Sequence, residues 1–199
     1  MSPADAVDHL RRTAALRRQS TDGGSNGYRY GAMEDDRITA LARQLGEACH
    51  LRRRVLALAE SCTGGGACEA ITRIPGSSGW LDRGFVTYSN EAKMEQLGVK
   101  EDTLLDYGAV SEATAREMVL GALRWSRADT AAAITGIAGP DGGSPGKPVG
   151  LVWFGWCVRG GAARLESRQF AGDRTEVRRQ AIEFVLKGLI QALEKSPEA

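Results

Sequence analysis

Three short apolar segments of this chain each run straight into a word of small, hydroxyl-bearing or glycine residues, and that recurring change of character narrows the fold most. Residues 55–59 lead into Glu60-Ser61-Cys62-Thr63-Gly64-Gly65-Gly66, residues 85–88 into Ser89-Asn90, and residues 130–134 into the glycine- and proline-rich run 135–146. Each segment has the length and composition of a strand, and the first two are followed at once by helical patterns over 63–73 and 91–97. Strand, turn and helix in repetition predict an open α/β sheet. In such a sheet ligands bind at the edge formed by the strand ends, where these three words fall.

The rest of the chain completes the layers. Ile38, Leu41, Leu45 and Cys49 recur on one helical face before the first strand, and helices are expected over 101–106 and 111–125, the latter with Ser111 as a plain N-cap. Segments 150–158 and 164–170 flank Arg159-Gly160-Gly161, whose glycines suit a hairpin turn. A long final helix is expected over 173–193, with Val177, Ile182, Val185, Leu186 and Leu189 available for its apolar face. Trp153 and Trp156 fall on opposite strand faces by period. The expected fold is α/β: a single three-layer α/β/α domain over 38–193, with a mixed sheet that includes an antiparallel hairpin. Residues 1–37, rich in arginine and in Ser/Gly/Asn, are expected to form a flexible N-terminal extension, and 194–199 a C-terminal tail.

Charge and composition exclude several classes of function. A net charge of +1 gives no basis for nucleic-acid or anionic-membrane binding. No apolar run reaches transmembrane length, the polar N-terminus is not a secretory signal, and cytoplasmic residence is the expectation. Cys49, Cys62, Cys68 and Cys157 lack paired C-x-x-C spacing and the two histidines make no H-E-x-x-H word, so no metal and no cofactor is expected. Nothing fixes the oligomeric state; a homodimer is the default by frequency.

The word after the first strand has two readings. Ser61 or Thr63 serves as an N-cap, or the helix start holds an anion or oxyanion in its exposed N–H groups and presents Ser61 as a nucleophile. A serine needs a base, and His9 and His50 both lie outside the three motif loops. Lys93, in the first turns after the second strand, fits that role if desolvation and a nearby helix N-terminus lower its pKa. Tyr88 at the strand end can relay a proton or orient the lysine. Cys62 is a rival nucleophile if the helix start favours its thiolate.

Five words carry a resemblance: 59–65, 84–93, Gly108-Ala109-Val110-Ser111, 136–143 and Lys147-Pro148-Val149-Gly150. In this order, over about residues 38–190, the chain resembles the CinA C-terminal domain family, whose stand-alone members are nicotinamide-nucleotide amidohydrolases. The resemblance implies hydrolysis of the carboxamide of nicotinamide mononucleotide (NMN) to nicotinic acid mononucleotide and ammonia. It implies Ser61 as nucleophile, with Lys93 and Tyr88 as its proton-transfer partners. The small-molecule nucleotide would be held by residues drawn from the three loops: Glu60, Cys62, Thr63, Gly64 and Gly65 in the first; Asn90 in the second; Gly136, Ala138, Gly139 and Asp141 in the third; and Arg174 for a phosphate. Glu60 alternatively orients the serine loop, Thr63 and Asn90 alternatively cap helices, and Arg174 alternatively makes a surface ion pair. Two other functions stay open: hydrolysis of a different amide or ester through the same serine, and nonenzymatic nucleotide binding. The family often carries a larger N-terminal nucleotide-processing domain, which residues 1–37 are too short to replace.

Overall fold

The computed structural model describes residues 32–195, with side chains from Arg37 onward. Most of the expected N-terminal extension and the end of the tail lie outside the described residues.

Strand β1 (Leu56–Glu60) is buried at every position, as befits the interior of a parallel pairing covered on both faces. It runs parallel to β2 (Leu81–Val86) on one side and to β3 (Thr130–Gly136) on the other. β3 then pairs antiparallel with β4 (Leu151–Val158), and β4 with β5 (Arg164–Gln169), giving the order β2-β1-β3-β4-β5. The expected mixed sheet and its hairpin are both present.

The two faces of the sheet bury different side chains. On one, Leu56, Leu58, Ile134, Val152, Phe154 and Trp156 pack against α1 (Ala32–Leu51), α2 (Gly66–Thr72) and α6 (Arg174–Glu194). Phe154 and Trp156 stack at 5.7 Å, and the Trp156 indole N–H donates to Val185 O at 3.1 Å, so the buried ring keeps a partner for its polar atom. On the other face Ala57, Ala59, Ala131 and Ala133 meet α3 (Asn90–Leu97), α4 (Glu101–Tyr107) and α5 (Glu112–Arg124). These short side chains let α5 lie close, and Gly121 extends that approach to α3: a Cβ there would sit 2.1 Å from Leu97 O. Trp156 belongs to the core, whereas Trp153, on the opposite face, is only partly buried. No helix among the described residues is long and apolar enough to cross a membrane.

Three boundaries differ from the sequence expectation. Helix α1 starts at Ala32, upstream of residue 38. β2 occupies Leu81–Val86 rather than 85–88, because it is an edge strand whose exposed Arg83 and Gly84 carry no apolar signal. Helix α2 begins at Gly66 rather than Thr63, since Gly64 (φ 57°) and Gly65 (φ 90°) adopt left-handed backbone that interrupts a helix.

Candidate active site

The turn after β1 is held from three directions. Ser61 N–H donates to Ile134 O at 2.9 Å, which fixes the residue at the carboxyl edge between β1 and β3. The Glu60 side chain turns inward: Oε2 accepts from the Thr63 hydroxyl (2.6 Å) and Ala67 N–H (3.0 Å), and Oε1 accepts from Cys68 N–H (2.8 Å). A fully buried carboxylate thus does for α2 what an N-cap side chain would do, while the actual cap, Gly65, has none. From α6, Arg178 Nη2 donates to Thr63 O at 2.8 Å.

These contacts fit the alternative readings of Glu60 as orienting the serine loop and of Thr63 as part of the helix cap. Glu60 and Thr63 are fully buried and bound to each other, and neither they nor Gly64 and Gly65 line the cavity beside Ser61. Of the N–H groups of α2, those of Ala67 and Cys68 already meet Glu60.

Lys93 comes to the same place from the other side of the edge. Thr87 N–H donates to Glu60 O (2.8 Å) and Ser89 Oγ caps α3 by accepting from Ala92 N–H (3.0 Å), so the turn between β2 and α3 is pinned and Lys93 is carried beneath it. Lys93 is 1% exposed, and its Nζ donates to Ser61 Oγ at 3.1 Å, Thr87 O at 2.9 Å and Ser89 O at 3.4 Å. Burial in this uncharged cage lowers its pKa from the ordinary 10.5. The cage accepts either charge state. An ammonium gives one N–H to each oxygen; a neutral amine gives two to the carbonyls and turns its lone pair to the Ser61 hydroxyl.

Cys62 lines the same cavity but is held as a thiol. Burial, reinforced by the nearby Glu60 charge, pushes its thiol up to about 12, against the expectation that a helix start would favour the thiolate.

Ser61 and Lys93 open onto a cavity of about 260 Å³. Cys62, Tyr88, Asn90, Gly136, Ala138, Gly139, Asp141 and Arg174 line it. Asn90 is not a cap, that role falling to Ser89; Asp173 caps α6 by accepting from Glu176 N–H at 2.9 Å. Arg174 spans the mouth, Nη1 donating to Gly139 O (3.0 Å) and Nη2 to the Tyr88 hydroxyl (2.7 Å). Tyr88 is therefore on the wall, 60% exposed, and among the described residues its hydroxyl makes no hydrogen bond to Ser61 or Lys93. Alternation along the extended chain explains the departure: Thr87 is buried, so its neighbour Tyr88 faces outward.

Ala109 and Val110 line the cavity without having been singled out as site residues. Their word, Gly108-Ala109-Val110-Ser111, was visible, yet only Ser111 was given a task, the capping of α5 that it performs. The Thr135 hydroxyl donates to Ala109 O at 2.7 Å, and Lys147 Nζ donates to Tyr107 O, joining the glycine loop to this segment.

Comparison with known proteins identifies the chain's relatives. The profile described as CinA C-terminal domain matches residues 38–193. The nicotinamide-nucleotide amidohydrolase PncC of Escherichia coli strain K12 is 51% identical over 159 residues, covering 80% of this chain and 96% of that protein. A protein of the same name from Pseudomonas putida is 54% identical over 160 residues, covering 78% and 97%. Among solved structures, the competence/damage inducible protein CihA of Agrobacterium tumefaciens superposes with a TM-score of 0.76 at 46% identity, covering 80% of this chain and 96% of that one.

Proposed function

The chain belongs to the CinA C-terminal domain family, and we propose that it is an amidohydrolase that converts NMN and water to nicotinic acid mononucleotide and ammonia, with Ser61 as nucleophile and Lys93 as its base. The observation that carries the mechanism is Lys93 Nζ, buried and 3.1 Å from Ser61 Oγ. The share of the amidohydrolase relatives' length that is matched, 96% and 97%, supports carrying over the whole activity.

The neutral Lys93 amine takes the Ser61 proton as Oγ attacks the carboxamide carbon. The resulting oxyanion is assigned to Cys62 N–H, the group directly after the nucleophile, which no backbone acceptor occupies among the described residues. Collapse breaks the C–N bond, and the Lys93 ammonium gives its proton to the departing nitrogen, which leaves as ammonia. Water then attacks the acyl-enzyme ester while Lys93 takes its proton. The second collapse releases the carboxylate and returns that proton to Ser61 Oγ.

Arg174 supports the nucleotide assignment. Two of its N–H groups are bound to neutral oxygens, Gly139 O and the Tyr88 hydroxyl, which leaves its charge and remaining donors for a phosphate at the cavity mouth. Tyr88 is assigned to the same binding wall.

The test is ammonia and nicotinic acid mononucleotide formation from NMN by the purified chain, with folded Ser61→Ala in parallel. Turnover is expected in the first and a loss of at least about 10³-fold in the second. Near-normal turnover by Ser61→Ala would remove Ser61 from the reaction, and no turnover by the folded wild type would remove NMN as substrate.

A further inference from the structure

We propose that the chain has a second anion site, for a phosphorylated small molecule of mononucleotide size, at the end of the sheet opposite Ser61. A cavity of about 500 Å³ opens there, against about 260 Å³ beside Ser61. Val55 and Trp80, which line it, immediately precede β1 and β2, whereas Ser61 follows β1, so a full strand length of roughly 15–20 Å separates the two sites.

The walls carry positive charge. Arg53 and Arg54 line the cavity beside His50, over a floor formed by Gly76 and Gly79, where a Cβ would meet nothing within 4 Å. Asp129 is the carboxylate near this cluster; it accepts from Val55 N–H at 3.2 Å and lies 4.0 Å from Arg54 Nη1. Arg52 is directed away, onto Glu194 O at 3.3 Å. Arg53 has no carboxylate partner among the described residues. Cys49 adds no negative charge to the wall, because burial, with Asp129 beside it, pushes its thiol up to about 12.

The backbone gives a second, independent reason. Arg53 has φ 52°, the one non-glycine residue with positive φ among those described. It occupies the left-handed position that ends α1, with Arg53 N–H donating to His50 O (3.2 Å) and Arg54 N–H to Cys49 O (2.9 Å). That position favours glycine, since a β-carbon there crowds the backbone. The last carbonyls of α1 are answered by these main-chain donors, so the arginine side chain is not needed to end the helix. Arg53 lines the cavity from this left-handed position, so its guanidinium is free of a capping duty at the place where a ligand would enter. Its planar fork of donors matches a phosphoryl group, and the cavity volume lies within the range of small-molecule sites.

The experiment is calorimetric titration of the 199-residue chain with 5′-AMP, repeated with Arg53→Gly, with Arg174→Ala and with adenosine as ligand. Arg53→Gly is expected to weaken AMP binding at least about tenfold, the loss of one charge-assisted contact. Because glycine relieves the left-handed backbone, its melting temperature should equal or exceed that of the wild type, which separates lost binding from lost folding. Its NMN turnover should be unchanged. Adenosine should bind at least about tenfold more weakly than AMP. The proposal is overturned if wild type does not bind AMP, if Arg53→Gly binds it as tightly, if adenosine binds equally well, or if only Arg174→Ala abolishes binding, which would place AMP beside Ser61.

Discussion

Glu60→Gln tests whether the serine turn is held by a carboxylate buried inside the protein. The native side chain serves three donors, the Thr63 hydroxyl at 2.6 Å, Ala67 N–H at 3.0 Å and Cys68 N–H at 2.8 Å. A glutamine offers one carbonyl oxygen. Placed at the Oε2 position, it satisfies Thr63 and Ala67 and turns its amide against Cys68 N–H. Placed at Oε1, it satisfies Cys68, and its NH₂ reaches Thr63 Oγ but faces Ala67 N–H. Either way one buried backbone N–H meets another donor, at a cost of about 1–3 kcal/mol. Loss of negative charge at the α2 N-terminus adds about 0.5–1 kcal/mol. Relief from burying a charge offsets part of this, and Arg178 still holds Thr63 O at 2.8 Å. The net destabilisation is about 2 kcal/mol, which for a chain of this size lowers Tm by about 4–8 °C. Calorimetric unfolding reads Tm, and turnover of NMN reports the displacement of Ser61 one residue away. A Tm within about 1 °C of wild type together with unchanged kcat would refute the assignment of Glu60 as the anchor of this turn.

Other perturbations follow from the same geometry. Activity should rise with pH through the Lys93 pKa, which desolvation holds below 10.5, and Lys93→Met should abolish that limb and lower kcat by about 10²–10⁴; a pH–rate profile on both proteins decides it. Stability has a matching sign. Between the lowered folded pKa and 10.5 the unfolded chain binds the Lys93 proton more readily, so this residue's contribution to unfolding free energy grows more favourable as pH rises through that window. Denaturant titrations should show that rise in wild type and not in Lys93→Met. Tyr88→Phe removes an acceptor of Arg174 and should raise KM for NMN severalfold with kcat within about twofold; a fall in kcat at constant KM would instead establish Tyr88 as a proton relay. Gly121→Ala drives a methyl to 2.1 Å from Leu97 O and should destabilise by about 1–3 kcal/mol despite alanine's better helix propensity, as urea unfolding would show.

The elements legible in the sequence were those whose burial leaves a pattern. β1 and β3 are apolar runs because both their faces are covered, and α6 shows its stripe because one face meets the sheet. β2 was cut short because an edge strand exposes residues such as Arg83 and Gly84, and pairing with β1 alone demands no hydrophobic alternation. At the site, Ser61 and Lys93 could be chosen by type and loop, since the chemistry of a serine without histidine leaves few bases. Their contact, across 32 positions, appears only once β1 and β2 are parallel neighbours. The hydrogen bonds of Glu60 were hidden for a related reason. Its partners on α2 lie seven and eight residues ahead, beyond any short capping pattern, and a carboxylate at a strand end reads as solvated until the turn is seen to fold the helix back over it. Arg178, 115 residues from the carbonyl it holds, had no local signal.

In the proposed mechanism, the separation of charge around Ser61 is what suits a lysine to the role of base. Its pKa must fall, and a carboxylate bonded to Nζ would raise it. The cage supplies two main-chain carbonyls and a hydroxyl instead, while Glu60, next in sequence to Ser61, directs its charge into the N-terminus of α2. Glu91, the acid on α3 that acts against the shift, is exposed, so solvent screens it. Glu60 therefore has two consequences from one set of hydrogen bonds: it fixes the turn that presents Ser61, and its carboxylate oxygens are engaged by α2 rather than by Lys93. The same charge helps keep the adjoining Cys62 a thiol, while the Ser61 hydroxyl stays in contact with Lys93 Nζ.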